Sequence, residues 1–418
     1  MSVASEIQRL QTAKADIKTA IENKGVTVDS SLKLDDYPQK IAEISGGGGQ
    51  EEAPENDVNF YDYDGFRVAS YTIAEAKALT QAEYNAILPP THQGLTFQDW
   101  NWTLNDITTY NRRYIDVGAN YKTTDGKTHI KIHVDNNGDI FSIRYLIVTY
   151  QLTIKWGDGS EDVVSSNNTI THTYSTKGKY EIVIENNIEN DNSSWEFNAL
   201  NTLTYTQGMI DEILLDEKAI IKDSSIKYVK GIVSLPVGCL RDGTGSATFQ
   251  YANIPMVTIP RGSSGITSSV VFSVFCGRLS FPKSIASTAV ASIFFGSVIT
   301  RIVLPEQTIN NFNNTYFQGN TILEIISIPN DFNIASNGTN IFNYSNKLKY
   351  LDIVQGWVPN NNLTLSGSSF WSPNALVDFL TKLGTTTNAI TLTFGATNLA
   401  KIPDSIKTEA NTKGYTLA

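Results

Sequence analysis

A short phrase that ends in proline returns at a nearly constant interval through the middle of this 418-residue chain. Each copy has an apolar residue, a second residue, another apolar residue and then proline. The prolines are Pro236, Pro260, Pro282, Pro305 and Pro329, and they lie 24, 22, 23 and 24 residues apart. A fixed period of this length indicates a repeat array, in which each repeat can bury its apolar side only against its neighbours.

Each phrase predicts a short β-strand that stops at its proline. Residues two apart lie on one face of a strand, and proline lacks the N–H that a strand ladder needs. The apolar pairs are predicted to face inward: Val233 and Leu235, Val257 and Ile259, Leu279 and Phe281, Ile302 and Leu304, and Ile326 and Ile328. The residues between them are predicted to face solvent: Ser234, Thr258, Ser280, Val303 and Ser327.

A phenylalanine precedes each later proline by 10 to 12 residues, at positions 249, 272, 294 and 317. We expect these rings to fill the inside of a solenoid of parallel strands over residues 200–394. A β-sandwich with regularly spaced strands is the alternative. The repeats resemble the leucine-rich repeats of BspA-like proteins, a type common in surface and phage proteins from gut bacteria, and this resemblance also implies a solenoid. The proline is missing at residues 351–354 and 363–366, where we expect less regular coils.

A second motif precedes the repeats. Trp156-Gly-Asp-Gly is followed by His172-Thr-Tyr174 and then by Gly178-Lys-Tyr180. These residues resemble the PKD domain, an immunoglobulin-like β-sandwich, over residues 126–190. The resemblance implies a spacer or adhesion unit, with a tight turn at Asp158 and with Tyr174 and Tyr180 in its core. The acidic turn at residues 135–139 lacks the ligand spacing of a calcium loop, so we interpret it as a plain hairpin turn.

The N-terminal residues have the heptad spacing of a helix with one apolar stripe. The stripe consists of Val3, Ile7, Leu10, Lys14, Ile17 and Ile21. We predict a helical anchor at residues 1–45 that either pairs with its own copies, as a homodimer or homotrimer, or folds back on residues 34–44 as a hairpin. Residues 46–56 are rich in glycine and glutamate and predict a flexible linker.

The remaining segments predict a small α+β module at residues 57–125 and a C-terminal cap at residues 395–418. The chain is therefore expected to be mostly β with some α. In the module, Trp100 and Trp102 are candidates for binding sugar rings, with a place in a small core as the alternative. Arg278 and Arg301 flank the outer face of the repeat strands and are candidate contacts for an acidic glycan of the host surface.

Composition excludes several functions. The net charge of −10 disfavours nucleic acid as a partner, because nucleic-acid-binding surfaces are basic. No run of 18 apolar residues occurs, so no membrane span is predicted. The chain has no catalytic or phosphate-binding motif, and its four histidines are scattered. We therefore expect no enzyme activity, no cofactor and no metal site.

The first 28 residues and the final residues, 392–418, resemble the ends of fibre-type proteins of crAss-like phages of gut bacteria. That resemblance implies a structural protein of the phage virion: a fibre or decoration protein of the head or tail. It would be assembled in the host cytoplasm and attached to capsid or tail proteins through its N-terminus. The alternative is a bacterial cell-surface adhesin of the BspA-like kind. No secretion signal is recognisable at the N-terminus, which favours the virion protein.

The apolar stripe of the N-terminal helix predicts that the full chain forms an oligomer. Light scattering should give the mass of a dimer or trimer for the full chain and of a monomer for a chain starting at Asp57. A monomer in both cases would exclude self-association and leave docking to a different protein as the role of the stripe.

Overall fold

The computed structural model describes residues 57–146, 151–165, 168–186, 195–198, 209–221, 229–240, 252–263, 275–285, 299–306 and 320–418, the last range without residues 335 and 337, together with single positions elsewhere. The chain divides into two compact units, residues 1–56 and residues 57–418. In the first unit, Lys14 and Ile17 lie in an α-helix. Val3, Ile7, Leu10, Ile21 and the linker at residues 46–56 lie outside the described residues, so the predicted anchor stays a prediction.

The second unit is mostly β. Its described residues form 22 strands and six short helices, and its sheets are open rather than closed into a barrel. This confirms the predicted mostly β class with some α.

The first part of this unit, residues 57–125, is called the covering module below. Its four-stranded sheet has the order β2-β1-β4-β3. The strands are β1 (Val58–Tyr61), β2 (Arg67–Tyr71), β3 (Leu95–Trp100) and β4 (Ile115–Thr123), and the helices are α1 (Ile73–Ala78), α2 (Gln81–Ala86) and α3 (Leu104–Thr108). Each helix begins with a capping box, in which a threonine and an acidic side chain satisfy each other's free N–H groups.

Two sheets follow in the chain. One has six strands in the order β14-β12-β5-β10-β7-β8, and the other has four in the order β13-β11-β6-β9. Their strands before residue 200 are β5 (Thr128–Val134), β6 (Ile140–Leu146), β7 (Leu152–Lys155), β8 (Glu161–Val164), β9 (Asn168–Thr173), β10 (Gly178–Asn186) and β11 (Trp195–Asn198). Later strands complete both sheets: β12 (Ile210–Leu214), β13 (Ala219–Ile221) and β14 (Ile232–Ser234). A single sheet therefore carries strands from both sides of the predicted boundary near residues 190–200.

The Trp-Gly-Asp-Gly motif holds the turn between β7 and β8. Trp156 and Tyr174 are fully buried, and the Tyr174 hydroxyl donates to the Trp156 carbonyl at 2.9 Å. Gly157 has φ +84°, and a Cβ atom there would lie 2.6 Å from the Glu181 carbonyl oxygen. Only glycine fits this position, because any other side chain would be strained and would collide with β10.

The proline-ended phrases form strands that pair in parallel. These strands are β14, β15 (Asn253–Thr258), β16 (Phe275–Ser280), β17 (Arg301–Val303) and β18 (Ile325–Ser327), and together with β12 and β19 (Tyr350–Asp352), which end without proline, they are called the repeat strands. Within them, β12 pairs with β14, β15 with β16, and β18 with both β17 and β19. The predicted inward residues are buried, and the Phe317 and Phe342 rings stack at 5.7 Å between centroids. Phe272 and Phe294 lie outside the described residues.

The outer face of the repeat strands is not exposed to solvent. Its central residues Ser234, Thr258, Ser280, Val303 and Ser327 are all at most 5% exposed. The prediction that they face solvent is wrong, because β4 of the covering module runs across β14, β15 and β16 on that side. Small side chains allow this close approach, and a Cβ atom at Gly118 of β4 would collide with the Thr258 side chain.

The C-terminal part forms a small sheet with three helices. Strands β20 (Leu363–Thr364), β21 (Ile390–Thr393) and β22 (Tyr415–Leu417) form a parallel sheet. Its helices are α4 (Pro373–Lys382), α5 (Ala396–Leu399) and α6 (Asp404–Thr412). Ser372 caps α4 by accepting a hydrogen bond from the Ala375 N–H, and Pro373 occupies the first helical position.

The covering module is held by a buried ion pair between Asp116 and Arg301, whose side chains are 5% and 2% exposed. Replacing Arg301 with Met leaves the Asp116 carboxylate buried without its charged partner, so we expect unfolding to be easier by about 3–5 kcal/mol. Denaturant unfolding measures this change. Lys407→Met is the control: it removes an ion pair whose Asp404 side chain is 97% exposed and should change stability by less than about 0.5 kcal/mol. Equal effects of the two substitutions would contradict the buried position of Arg301.

Candidate ligand-binding pocket

The two tryptophans predicted as sugar-binding candidates are core residues. Trp100 is 2% exposed and Trp102 is 1% exposed. Their indole N–H groups donate to the Ile87 carbonyl at 2.9 Å and to the Phe281 carbonyl at 2.6 Å. Because their polar atoms are satisfied and their rings are covered, neither ring offers a surface to a ligand.

The two predicted arginines do not form a surface site either. Arg301 is 3% exposed and is paired with Asp116, so it lies beneath the covering module. Arg278 is partly exposed, and its guanidinium carbon lies 4.6 Å from the ring centre of the buried Tyr61. The outer face that was predicted to contact a glycan is thus the internal docking face of the covering module.

A pocket of about 520 Å³ lies at the margin of this docking face. Three parts of the unit contribute to it: the loop between α3 and β4, the repeat strands β18 and β19, and the first turns of α4. Its lining consists of Arg113, Tyr114, Ile325, Lys349, Tyr350, Ser372, Asn374, Ala375 and Asp378. Its size lies within the range that small-molecule sites occupy.

The buried carboxylate of Asp352 positions the loop side of the pocket. Its Oδ2 accepts hydrogen bonds from the Arg113 N–H at 2.9 Å, the Tyr114 N–H at 3.2 Å and the Ser327 hydroxyl at 2.8 Å. The Lys382 Nζ lies 3.5 Å from Oδ1 and supplies the counter-charge. Two of these three donors belong to the loop and hold it against β19, because an unpaired buried carboxylate is costly.

Two tyrosines form the inner wall. Tyr114 and Tyr350 are 8% and 7% exposed, and their rings meet edge to face at 5.5 Å. The Arg113 guanidinium carbon lies 5.2 Å from the Tyr114 ring centre and 5.9 Å from that of Tyr350. These cation–π contacts fix the arginine at the mouth of the pocket.

The charged side chains of the lining differ in how many of their hydrogen-bonding atoms already have a partner within the protein. Arg113 donates through Nε to Asp57 at 2.6 Å, and among the described residues no group accepts from its two terminal nitrogens. Lys349 pairs with Glu324 at 2.8 Å. Asp378 accepts from the Tyr350 hydroxyl and pairs with Lys382 at 2.9 Å. The arginine therefore presents an open planar fork, the geometry that binds carboxylates and other oxygen acceptors.

The Tyr114 hydroxyl is also open. No described residue hydrogen-bonds to it, although the ring itself is more than nine-tenths buried. Burial raises the pKa of this hydroxyl above its ordinary value, so it stays protonated and can donate. Burial opposes the charge of Arg113, but the hydrogen bond to Asp57 and the electrostatic effects of Tyr114, Asp57 and Tyr350 together outweigh it and raise the pKa of the guanidinium.

A second pocket, of about 340 Å³, lies where the covering module meets β5 and β10. It contains Asp125 and Glu181, with His129 between them at 3.1 Å and 3.0 Å. The two carboxylates point at the imidazole rather than at each other, and their side chains are 44% and 51% exposed. A glycosidase needs two carboxylates facing one bond, one of them with a pKa raised by its surroundings. This arrangement does not provide that geometry.

The part of the chain that the structure describes has neither a cluster of metal ligands nor a membrane-spanning helix. No group of three or more metal-ligating side chains is arranged to hold an ion there. No helix in those ranges is both long enough and apolar enough to cross a membrane.

Comparison of the chain with protein-family models, with curated proteins and with solved structures found no match. The pocket must therefore be interpreted from its own geometry. The residues that sequence reasoning missed are Arg113, Tyr114 and Tyr350. For Arg113 and Tyr114, the local sequence feature that could have pointed to the pocket is the cluster Asn111-Arg-Arg-Tyr114, which directly precedes a buried strand.

The open hydroxyl of Tyr114 makes a prediction about stability. Tyr114→Phe removes an oxygen that bonds to no described residue, so the free energy of unfolding should change by less than about 0.5 kcal/mol. Tyr174→Phe is the matched control, since it removes a buried hydrogen bond to the Trp156 carbonyl and should cost roughly 1–3 kcal/mol. A loss at Tyr114 as large as that at Tyr174 would mean that the Tyr114 hydroxyl has a partner within the protein.

Proposed function

We propose that this chain is a structural protein of a phage virion, a fibre or decoration protein of the head or tail, whose body contacts carbohydrate on the host surface. The observation that carries the carbohydrate contact is the pocket at Arg113, Tyr114, Asn374 and Asp378. Planar side chains that combine donors and acceptors at one site suit the hydroxyl-rich surface of a sugar. Hydrogen-bonded sites of this kind fix a ligand's orientation within a pocket of modest size.

The architecture supports the same proposal. The parallel pairing of the repeat strands, their buried apolar pairs and the stacked rings of Phe317 and Phe342 support a leucine-rich-repeat solenoid of the BspA-like kind. The two sheets around Trp156 and Tyr174 serve as a PKD-like sandwich that continues the array. Both are modules that project a binding surface from an anchor.

The anchor is residues 1–45, which we propose attach the protein to capsid or tail proteins and assemble it as a homodimer or homotrimer. The division of the chain at residue 56 supports this role, because the body from Asp57 onward is a compact unit of its own. The virion is then the site of the protein, which is assembled in the host cytoplasm. Neither an enzyme activity nor a cofactor is part of this proposal.

Labelling of purified phage particles tests the proposal. Antibodies raised against the body should decorate intact particles in electron micrographs, and the full chain added in excess should slow phage adsorption to host cells. An Asn388→Asp variant, changed at an exposed loop residue outside the pocket, should compete as well as the unaltered chain. Labelling of the bacterial envelope in uninfected cells, with no label on particles, would instead identify a bacterial surface adhesin.

A further inference from the structure

We infer that the pocket takes a sugar that carries a carboxylate, with the acidic group held between Arg113, Tyr114 and the first turn of α4. This inference rests on the proposed carbohydrate contact and specifies its chemistry. It starts from the groups in the lining whose hydrogen-bonding capacity no described residue uses.

The strongest of these unused groups are donors. Arg113 keeps both terminal nitrogens for a ligand, since only its Nε bonds to Asp57. The Tyr114 hydroxyl has no partner in the described ranges and lies in a side chain that is 8% exposed. The hydroxyl oxygen itself is accessible to solvent at the pocket, so an acceptor group of a ligand can reach it.

The N-terminus of α4 adds a third donor. Ser372 accepts from the Ala375 N–H at 3.1 Å, and Pro373 has no N–H. No described residue accepts from the N–H of Asn374, which lines the pocket. The first turn of α4 contains no acidic residue. Its partial positive charge is therefore not balanced by a side chain of the same turn and favours an anion.

The acidic groups around the pocket do not compete for this position. Asp378 is the acidic residue of the lining, and Lys382 and the Tyr350 hydroxyl already occupy its Oδ2. Asp57 engages the Nε side of Arg113, and Glu324 is paired with Lys349. A neutral sugar could form hydrogen bonds with Asp378 and Asn374, but it would leave the two terminal nitrogens of Arg113 without a charged acceptor. A carboxylate accepts two parallel hydrogen bonds from such a fork, which makes an acidic sugar the better complement.

Binding of small sugars to the full chain tests the inference. Glucuronate, galacturonate and N-acetylneuraminate are the acidic probes, glucose and galactose are their neutral counterparts, and acetate reports the carboxylate alone. Titrations followed by NMR or calorimetry should show at least about tenfold tighter binding of an acidic sugar than of its neutral counterpart and of acetate. The difference should shrink as salt is raised, because the contact is ionic.

Two substitutions in the pocket and one control outside it locate the site. Asn374→Asp keeps the size of the side chain and places a negative charge in the first turn of α4, where it favours the helix and repels a carboxylate ligand. It should weaken acidic-sugar binding about tenfold or more without lowering the unfolding temperature. Asn388→Asp makes the same change of charge on an exposed loop outside the lining and should leave binding unchanged. Tyr114→Phe, which should fold normally, should also weaken binding.

The outcomes separate this inference from the proposed function. Equal binding of acidic and neutral sugars, lost in Tyr114→Phe, would keep the carbohydrate contact and overturn the acidic preference. Acidic-sugar binding that Asn374→Asp and Tyr114→Phe both leave intact would overturn this pocket as the site. Binding of acetate as tightly as of the sugars, or binding of none of the probes, would overturn the inference altogether. Whether the protein belongs to a virion is decided by the particle labelling and not by these titrations.

Discussion

The buried ion pair between Asp116 and Arg301 is the contact on which the arrangement of the body depends. Both side chains are at most 5% exposed, so each charge would be stranded if the partner moved away. Such a pair adds little net stability compared with an apolar contact of the same size. The ion pair disfavours other registers of β4 on the repeat strands, because a shifted β4 would leave both buried charges unpaired. Its value is therefore in specificity, and the polar contacts on either side of it follow the same register.

Those flanking contacts form a series along the repeat strands. Asn120 donates to the Leu235 carbonyl at 2.9 Å, Asn101 donates to the Ser280 hydroxyl at 2.8 Å, and Arg112 donates to the Leu304 carbonyl at 2.7 Å. Each reaches a different strand of the array. A sheet face covered by a second layer must satisfy its polar groups internally, and here side chains of the covering module supply the donors. The repeat strands thus have an apolar layer on their inner face and a hydrogen-bonded layer on their outer face.

The sequence predicted the inner layer well and the outer layer wrongly, for one physical reason. Alternation of apolar and small polar residues predicts which side of a strand is apolar, and the buried pairs around Leu304 and Ile328 agree with it. The same alternation cannot distinguish a solvent-exposed polar face from a polar face covered by another part of the chain. A signal was present: the outer positions are serine, threonine and valine, without the lysines and glutamates typical of solvated strands. Asp116 and Arg301 are about 180 positions apart in the sequence. A contact between such distant residues has no local sequence pattern that would predict it.

The pocket lies beside the copy of the repeat phrase that departs from the regular sequence. In the phrase at residues 351–354, Asp352 stands where four of the five regular copies have serine or threonine, and valine replaces the proline. Strand β19 places Tyr350 and Asp352 two residues apart and hence on the same outer face, in register with Ile325 and Ser327 of β18. The aspartate fixes the Arg113–Tyr114 loop, and the tyrosine forms the inner wall beside it. A regular copy of the phrase, with isoleucine and serine at these positions, would offer the loop's N–H groups no charged acceptor and would leave Tyr114 as the single tyrosine of the inner wall. The irregular copy therefore supplies the two side chains that shape the pocket at this end of the array, and a departure from local regularity is the kind of feature that proteins concentrate at functional sites.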